Sequence, residues 1–250
     1  MMLFLLVQIA TPPAPVTGPP APAAERWEAC VELAVSEPVR GVAEAERWKI
    51  ANGGFLAQQC LGMAYAAQQR WSSAAGAFER AARDAEVTQD VRASKYWAQA
   101  GNAWLAATEP VKARAALDAA LAAGKLTGLE LGEAHLDRAR ISVASGNLGD
   151  ARADLDQAVR HAAGDPMAWL LSAVLARRTG DLALAQRHIG EALARAADDA
   201  SVQLEAGNIA AMSGDEATAK AAWEKAVQIA PDSAQGAAAR AALKQFDAPQ

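Results

Sequence analysis

The feature that most constrains the fold of this chain is a spacing of 34 residues that occurs twice in succession. It separates the three glycines Gly146, Gly180 and Gly214, and each glycine is followed five and twelve residues later by alanine. A large apolar residue lies nine residues after each glycine, and these residues are Leu155, Ile189 and Trp223. Self-similarity at a period of about 20 to 50 residues is typical of a repeat architecture.

The same frame continues upstream with looser spacing. Small residues precede the turn of each repeat by seven positions, at Gly62, Gly101, Ala139, Ala173 and Gly207. Apolar and small residues recur at steps of three and four, which indicates helical faces and not strands. Each repeat therefore predicts two helices separated by a short turn. The high alanine content and the 5% of aromatic residues favour thin helices in close contact, with Trp223 as a large side chain packed among small ones.

These residues resemble the tetratricopeptide repeat, a helix–turn–helix unit. The match is close in LGMAY (61–65) with AAGAFERAA (74–82), and in AGN (206–208) with AAWEKAVQIAP (221–231). Five repeats lie near residues 55–88, 94–127, 132–165, 166–199 and 200–233. The third is degenerate, with His135, Ala139 and Ser142 where Trp, Gly and Tyr are typical of the family. The resemblance implies an all-α solenoid that forms a right-handed superhelix, with about thirteen helices in this chain.

The two ends of the chain depart from the repeat pattern. Residues 25–54 predict an atypical N-terminal capping pair of helices, and residues 234–250 predict a C-terminal capping helix with a short tail. Residues 1–24 begin with MMLFLLVQIA, which is too short to span a bilayer, and continue with a Pro-rich stretch. They predict an export signal followed by an extended tether, and thus a periplasmic or otherwise exported protein. The alternative is a plain tail on a cytoplasmic protein.

The chain lacks the patterns that carry catalysis, metal binding or nucleic-acid binding. Its net charge of −5 comes from interspersed acidic and basic residues, without a basic stripe for phosphates. The three histidines fall in different repeats, and no Gly-rich phosphate loop or HExxH motif occurs. Asp150 and Asp154 are four residues apart and are interpreted as part of a solvated helix face. We expect no catalytic residues, metal, cofactor or nucleic-acid partner. Most tryptophans fall on the packing frame, and Trp97, Trp104, Trp169 and Trp223 are expected in the core.

Cys30 and Cys60 are the only cysteines. They lie in the first helices of consecutive helical pairs, which pack side by side in this architecture. Export would favour a structural disulfide between them, whereas in the cytosol they would be two small buried hydrophobic residues. A thiol-exchange enzyme is a further alternative, although the two residues lack CxxC spacing.

In the family that the sequence resembles, the first helices of successive repeats line a concave groove that receives a peptide or a partner helix. The resemblance places the following residues in the groove and implies that they bind the partner: Lys95, Asn102, Leu136, Arg140, Leu170, Val174, Arg177, Leu204 and Asn208. The same frame also places Glu133 there. Asn102 and Asn208 match a position whose amide holds a ligand backbone, and Arg140 and Arg177 could meet a carboxylate. The many apolar positions favour a helix or an apolar segment over a carboxylate terminus.

The main hypothesis from the sequence is therefore a non-catalytic scaffold that binds another protein or peptide in a cell-envelope assembly. Three alternatives stay open: a self-associating array that forms homo-oligomers, an intracellular adaptor, and the thiol-exchange enzyme.

Overall fold

A computed structural model of the chain describes residues 23–246, and this part is built from thirteen α-helices joined by short turns. The helices are α1 (Ala23–Ser36), α2 (Pro38–Ile50), α3 (Gly54–Ala67), α4 (Trp71–Val87), α5 (Ala93–Ala106), α6 (Pro110–Ala122), α7 (Gly128–Ala144), α8 (Leu148–His161), α9 (Pro166–Arg178), α10 (Leu182–Arg195), α11 (Ala200–Met212), α12 (Glu216–Ile229) and α13 (Ala234–Phe246). The predicted all-α solenoid is confirmed. The export signal predicted for the N-terminal segment lies outside the described residues, whereas Ala23 and Ala24, assigned to the tether, open α1.

The helices stack as antiparallel pairs. We call α3, α5, α7, α9 and α11 the A helices and α4, α6, α8, α10 and α12 the B helices. Each helix packs on the next one in the chain, and neighbouring A helices from α5 to α11 also touch one another. The A helices consequently line one continuous face of the stack.

The turn between the A and B helix of each repeat needs one residue with a left-handed backbone. Gly146, Gly180 and Gly214 supply it in the last three repeats, with φ between 79° and 82°. In the first two repeats the equivalent residues are Gln69 at φ 57° and Thr108 at φ 58°. The turn geometry is thus common to all five repeats, although a side chain at positive φ is strained in two of them.

Small residues on the A helices receive large side chains from the B helices. A Cβ atom added to Gly207 would lie 2.4 Å from the indole of Trp223. At Gly62 the added atom would lie 2.5 Å from the ring of Phe78. These distances are far below van der Waals contact, so only glycine permits the observed approach. The predicted role of Trp223 as a large side chain among small ones is confirmed.

The degenerate third repeat contains a buried polar network in place of the aromatic packing. Asp154 on α8 is 4% exposed and accepts hydrogen bonds from Nε and Nη2 of Arg138 on α7, at 2.9 and 2.7 Å. Nδ1 of His135 lies 2.8 Å from the same carboxylate. The interpretation of Asp154 as part of a solvated face is therefore wrong, because α7 covers it with a cation. Asp150, one turn earlier, has a side chain that is 60% exposed and fits that interpretation.

This network changes the ionisation of the carboxylate. Burial by itself would raise the pKa of Asp154, but the hydrogen bonds from His135 and Arg138 and the charge of Arg138 outweigh burial and hold the pKa below its usual value. Arg138 also donates to Asp118 on α6 at 2.9 Å. The network thus joins three consecutive helices at the repeat whose first helix lacks the Trp, Gly and Tyr of the repeat pattern.

The tryptophans divide into two groups. Trp104 and Trp223 are buried, as predicted for the core. Trp97 and Trp169 are partly buried and pack against the buried core. Their indole N–H groups donate to the carboxylate of Glu86 at 2.6 Å and to the carbonyl of Ala163 at 2.9 Å, so one edge of each ring remains near the surface.

Cys30 on α1 and Cys60 on α3 are fully buried and lie together in a disulfide, with their Cα atoms 6.1 Å apart. That separation lies inside the range of about 4.4–6.8 Å that a disulfide requires. The bond ties the first helix of the N-terminal pair to the first A helix.

Candidate functional site

A cavity opens on the face that the A helices line. It has a volume of about 710 Å³ and is bordered mainly by residues of α3, α5, α7 and α9, with a few from α4 and α6. We call this cavity the groove. Four of the residues predicted to bind a partner line it, namely Lys95, Asn102, Leu136 and Arg140. They meet here because α5 and α7 lie next to each other, and because the helical period brings residues seven apart to the same face.

A smaller cavity of about 190 Å³ adjoins the groove. It is lined by Ala139, Arg140, Val143, Leu155, Leu171, Val174 and Leu175, which belong to α7, α8 and α9. We call it the apolar pocket. Arg140 borders both cavities, so the pocket opens beside the groove. Of the other predicted residues, Val174 lines the pocket.

Side-chain hydrogen bonds connect most neighbouring helices along this face, which consists of α1 and the A helices. Indole N–H of Trp27 donates to Gln59, and Gln59 donates to Gln99, at 3.1 and 3.4 Å, which connects α1, α3 and α5. Lys95 pairs with Glu130 at 2.6 Å between α5 and α7.

A polar connection also joins α9 to α11, but the series is interrupted between α7 and α9. Arg177 donates to both carboxylate oxygens of Glu205, at 2.6 and 3.1 Å. Within residues 23–246, no side-chain hydrogen bond joins α7 to α9. The apolar pocket lies between these two helices, so the gap is lined by aliphatic side chains and lacks polar bonds that would close it.

The groove is predominantly acidic. Its lining holds four carboxylates, those of Glu130, Glu133, Asp137 and Asp165, against the two cations Lys95 and Arg140. Glu130 is paired with Lys95. Asp137 is paired with Arg140 at 3.3 Å and accepts from Asn102 at 3.0 Å, and Asp165 caps α9 by accepting from the backbone N–H of Met167 at 2.9 Å.

Glu133 differs from the other three carboxylates. It is exposed to the groove and has no hydrogen bond or ion pair in the described part of the chain. Partial burial, together with the charges of Asp165, Asp137 and Glu130, raises the pKa of Glu133. Three carboxylates thus act on Glu133, and no cation among the described residues pairs with it.

The other predicted residues lie outside the groove, and the aliphatic ones contribute little surface. Leu136 and Leu170 are each 6% exposed and act mainly in packing. Arg177, Leu204 and Asn208 lie at the α9–α11 end, beyond both cavities. Each of the two amides expected to hold a ligand already donates within the chain, Asn102 to Asp137 and Asn208 to Glu205 at 3.2 Å. Asn208 also accepts from the indole of Trp223 at 3.1 Å.

The repeat frame placed Glu133 in the groove, but the list of partner-binding residues left out the acidic side chains of the lining. Glu130, Glu133 and Asp137 lie three and seven residues apart on α7, which is the spacing of one helical face. That spacing is visible in the segment GLELGEAHLDRAR and was the signal that could have identified them. The list instead kept the positions that carry amides, cations and aliphatic side chains.

Two properties of residues 23–246 bear on metal binding and on membrane insertion. No group of three or more His, Cys, Asp or Glu side chains is placed to hold a metal ion there. None of the described helices combines the length and the apolar character that crossing a bilayer requires.

Comparison with solved structures identifies the fold. PilF from Pseudomonas aeruginosa aligns with a TM-score of 0.72 at 14% identity, over 88% of this chain and 99% of PilF. PilW, a type IV pilus biogenesis factor, aligns with a TM-score of 0.68 at 19% identity, over 89% of this chain and 97% of PilW. YrrB, a tetratricopeptide repeat protein with an unusual peptide-binding site, aligns with a TM-score of 0.61 at 18% identity, over 80% of this chain and 96% of YrrB. The chain has the tetratricopeptide-repeat fold, as its sequence predicted.

No protein-family model matches the sequence, and no curated protein sequence matches it. The likeness to the solved structures therefore rests on the arrangement of helices and not on close sequence identity.

Proposed function

We propose that this protein is a non-catalytic interaction scaffold, and that it binds a peptide or a helix of a partner protein in the groove between α5 and α9. The observation that carries the proposal is the apolar pocket, which opens beside the groove where neighbouring A helices lack a polar connection. A partner side chain inserted there would bury the aliphatic surface of Val143 and Val174. The peptide-binding site described for YrrB supports the same use of the fold.

The size and chemistry of the groove fit this role. Ligand-binding cavities have volumes of about 300–1,000 Å³ and combine apolar surface with a few polar groups that fix orientation. The groove, at about 710 Å³, lies in that range and offers both. It is bordered by successive A helices, which suits an extended segment or a helix.

A binding experiment with two matched variants tests where the partner lies. Met167 is 41% exposed and lines the groove, whereas Val111 is 82% exposed on α6 and lies outside it. Met167→Arg and Val111→Arg replace exposed apolar residues by the same cation, so neither disturbs the core. We expect proteins that co-purify with the wild type to be lost with Met167→Arg and kept with Val111→Arg. The opposite result would place binding on another face.

We further propose that the protein is exported and belongs to a cell-envelope assembly. The apolar N-terminal segment, the juxtaposition of Cys30 and Cys60, and the likeness to a pilus biogenesis factor support this. The test is electrophoretic mobility of protein taken from the producing cell, alkylated at once and run with and without reductant. A mobility change on reduction is expected, and two free thiols in freshly alkylated protein would contradict export.

A further inference from the structure

We infer that the segment bound in the groove is basic and amphipathic: it places a Lys or Arg against Glu133 and an apolar side chain in the apolar pocket. This inference rests on the proposed function and specifies the chemistry of its ligand.

The charge of the groove favours a cationic partner. Lys95 and Arg140 are already paired with Glu130 and Asp137, so both cations of the lining are engaged within the chain. Of the four carboxylates, Glu133 alone lacks a hydrogen-bonding partner among the described residues. A cation brought beside it would relieve repulsion from three neighbouring carboxylates. An anionic segment would add to that repulsion, and like charges opposed across an interface suppress binding.

The apolar pocket supplies the second half of the recognition. Its volume of about 190 Å³ corresponds to about six water molecules at about 30 Å³ each. Apart from Arg140, every side chain of its lining is an aliphatic residue of α7, α8 or α9. A Leu or Met side chain would displace this water and gain contacts on several sides, whereas a polar side chain would find few partners.

The two features have a fixed separation. Ala139 and Val143 of the pocket lie six and ten residues after Glu133 on the same helix, which corresponds to about 9–15 Å along α7. A ligand helix that runs alongside covers this distance in about six to ten residues, and within that range a spacing of about seven keeps both side chains on one face. The cation and the apolar anchor should therefore lie about seven residues apart on one face of the partner segment.

Synthetic peptides test this chemistry with the full-length chain. The first is a fluorescently labelled helical peptide of about 18 residues with Lys and Leu seven apart on one face. A second replaces Lys by Glu, and a third replaces Leu by Ser. Fluorescence anisotropy measures the affinity of each peptide for the chain. We expect the second and third peptides to bind at least about 10-fold more weakly than the first, which we call the Lys–Leu peptide. Added salt should weaken the binding of the Lys–Leu peptide, because it screens the attraction between opposite charges.

Two protein variants separate recognition by Glu133 from the general acidity of the chain. Glu133→Gln removes the charge and keeps the shape, and Glu224→Gln makes the same change at an exposed position of α12, outside both cavities. We expect Glu133→Gln to lower the affinity for the Lys–Leu peptide about 5-fold or more. Glu224→Gln should lower this affinity less than 2-fold. Equal losses in the two variants would overturn the inference.

Filling the pocket tests the anchor. Val174→Phe occupies the apolar pocket, and Val111→Phe adds the same bulk on an exposed surface. Val174→Phe should lower the affinity for the Lys–Leu peptide at least about 5-fold. The weak binding of the third peptide, which carries Ser in place of Leu, should stay unchanged. Circular dichroism melting of both variants checks that they are folded. Unchanged affinity in a folded Val174→Phe variant would contradict an anchor in the pocket.

The outcomes also distinguish this inference from the proposed function. If the Glu peptide binds best, or if none of the peptides binds, while Met167→Arg still loses its co-purifying proteins, the groove binds a ligand of other chemistry and only the inference fails. If the Lys–Leu peptide fails to bind and Met167→Arg keeps every partner, both the inference and the proposed function fail.

Discussion

Replacing Asp154 by asparagine perturbs the buried network that stands where the third repeat lacks its aromatic signature. Asp154 accepts two hydrogen bonds from Arg138 and lies within hydrogen-bonding distance of His135. Removing one partner of a fully buried ion pair costs about 3–5 kcal/mol. Arg138 is 24% exposed and keeps Asp118 as a partner, so we expect a smaller loss of about 2–3 kcal/mol in the free energy of unfolding. For a chain of this size the melting temperature should fall by about 4–12 °C.

The pH dependence of this difference follows from the lowered pKa of Asp154 in the folded chain. A carboxyl whose pKa is lower in the folded than in the unfolded state stabilises the fold above its unfolded pKa. That stabilisation is lost as the pH falls through the folded pKa. Above about pH 4, the free energy of unfolding of the wild type should therefore exceed that of Asp154→Asn by the full difference. Below that pH the difference should shrink.

Asp150→Asn is the matched control, since it lies on the same helix with a 60% exposed side chain and a single ion pair to Arg114 at 3.3 Å. An exposed ion pair contributes about 0–1 kcal/mol, so this variant should melt close to the wild type. Circular dichroism melts of the three proteins between pH 3 and 7 provide the measurement. If the two variants melt alike at pH 7, or if the margin of Asp154 grows on acidification, the reasoning about the network is wrong.

Three further predictions concern the packing of the stack. Gly207→Ala should lower the free energy of unfolding by about 1–3 kcal/mol, because its Cβ would meet the indole of Trp223. Gly190→Ala, which has open space around it, should be neutral or stabilising, and urea denaturation compares the two variants. Thr108→Gly should raise the free energy of unfolding by about 0.5–1 kcal/mol, because relief of strain exceeds the added chain entropy; a lower midpoint in the same assay would refute this. Reducing the Cys30–Cys60 bond should lower stability by about 3 kcal/mol, and melting curves that coincide with and without reductant would exclude a stabilising role.

The repeat frame was predictable from the sequence because its packing rules are local. The pairing of Gly207 with Trp223 follows from two positions sixteen residues apart in one helical hairpin, and the frame fixes both. The first helix positions at Pro110 and Pro166 were equally predictable, since proline fits the first turn of a helix and disrupts its interior.

The partner of each polar side chain could not be predicted in the same way. Asp154 looked solvated because nearby cations in the sequence lie on its own helix, whereas its actual partner, Arg138, comes from α7. Asn102 occupies the groove as the frame predicted, but its amide is already bonded to Asp137 on the neighbouring A helix. Such contacts depend on the spacing between helices and on rotamers, and a repeat pattern specifies neither.

The most direct test of the central claim, that a partner binds in the groove between α5 and α9, is photo-crosslinking with the site read by mass spectrometry. The Lys–Leu peptide would carry a benzophenone side chain in place of its leucine anchor. The account predicts adducts on α7 and α9 around Val143 and Val174, competed away by unlabelled peptide. Adducts confined to the B helices or to α13 would contradict it.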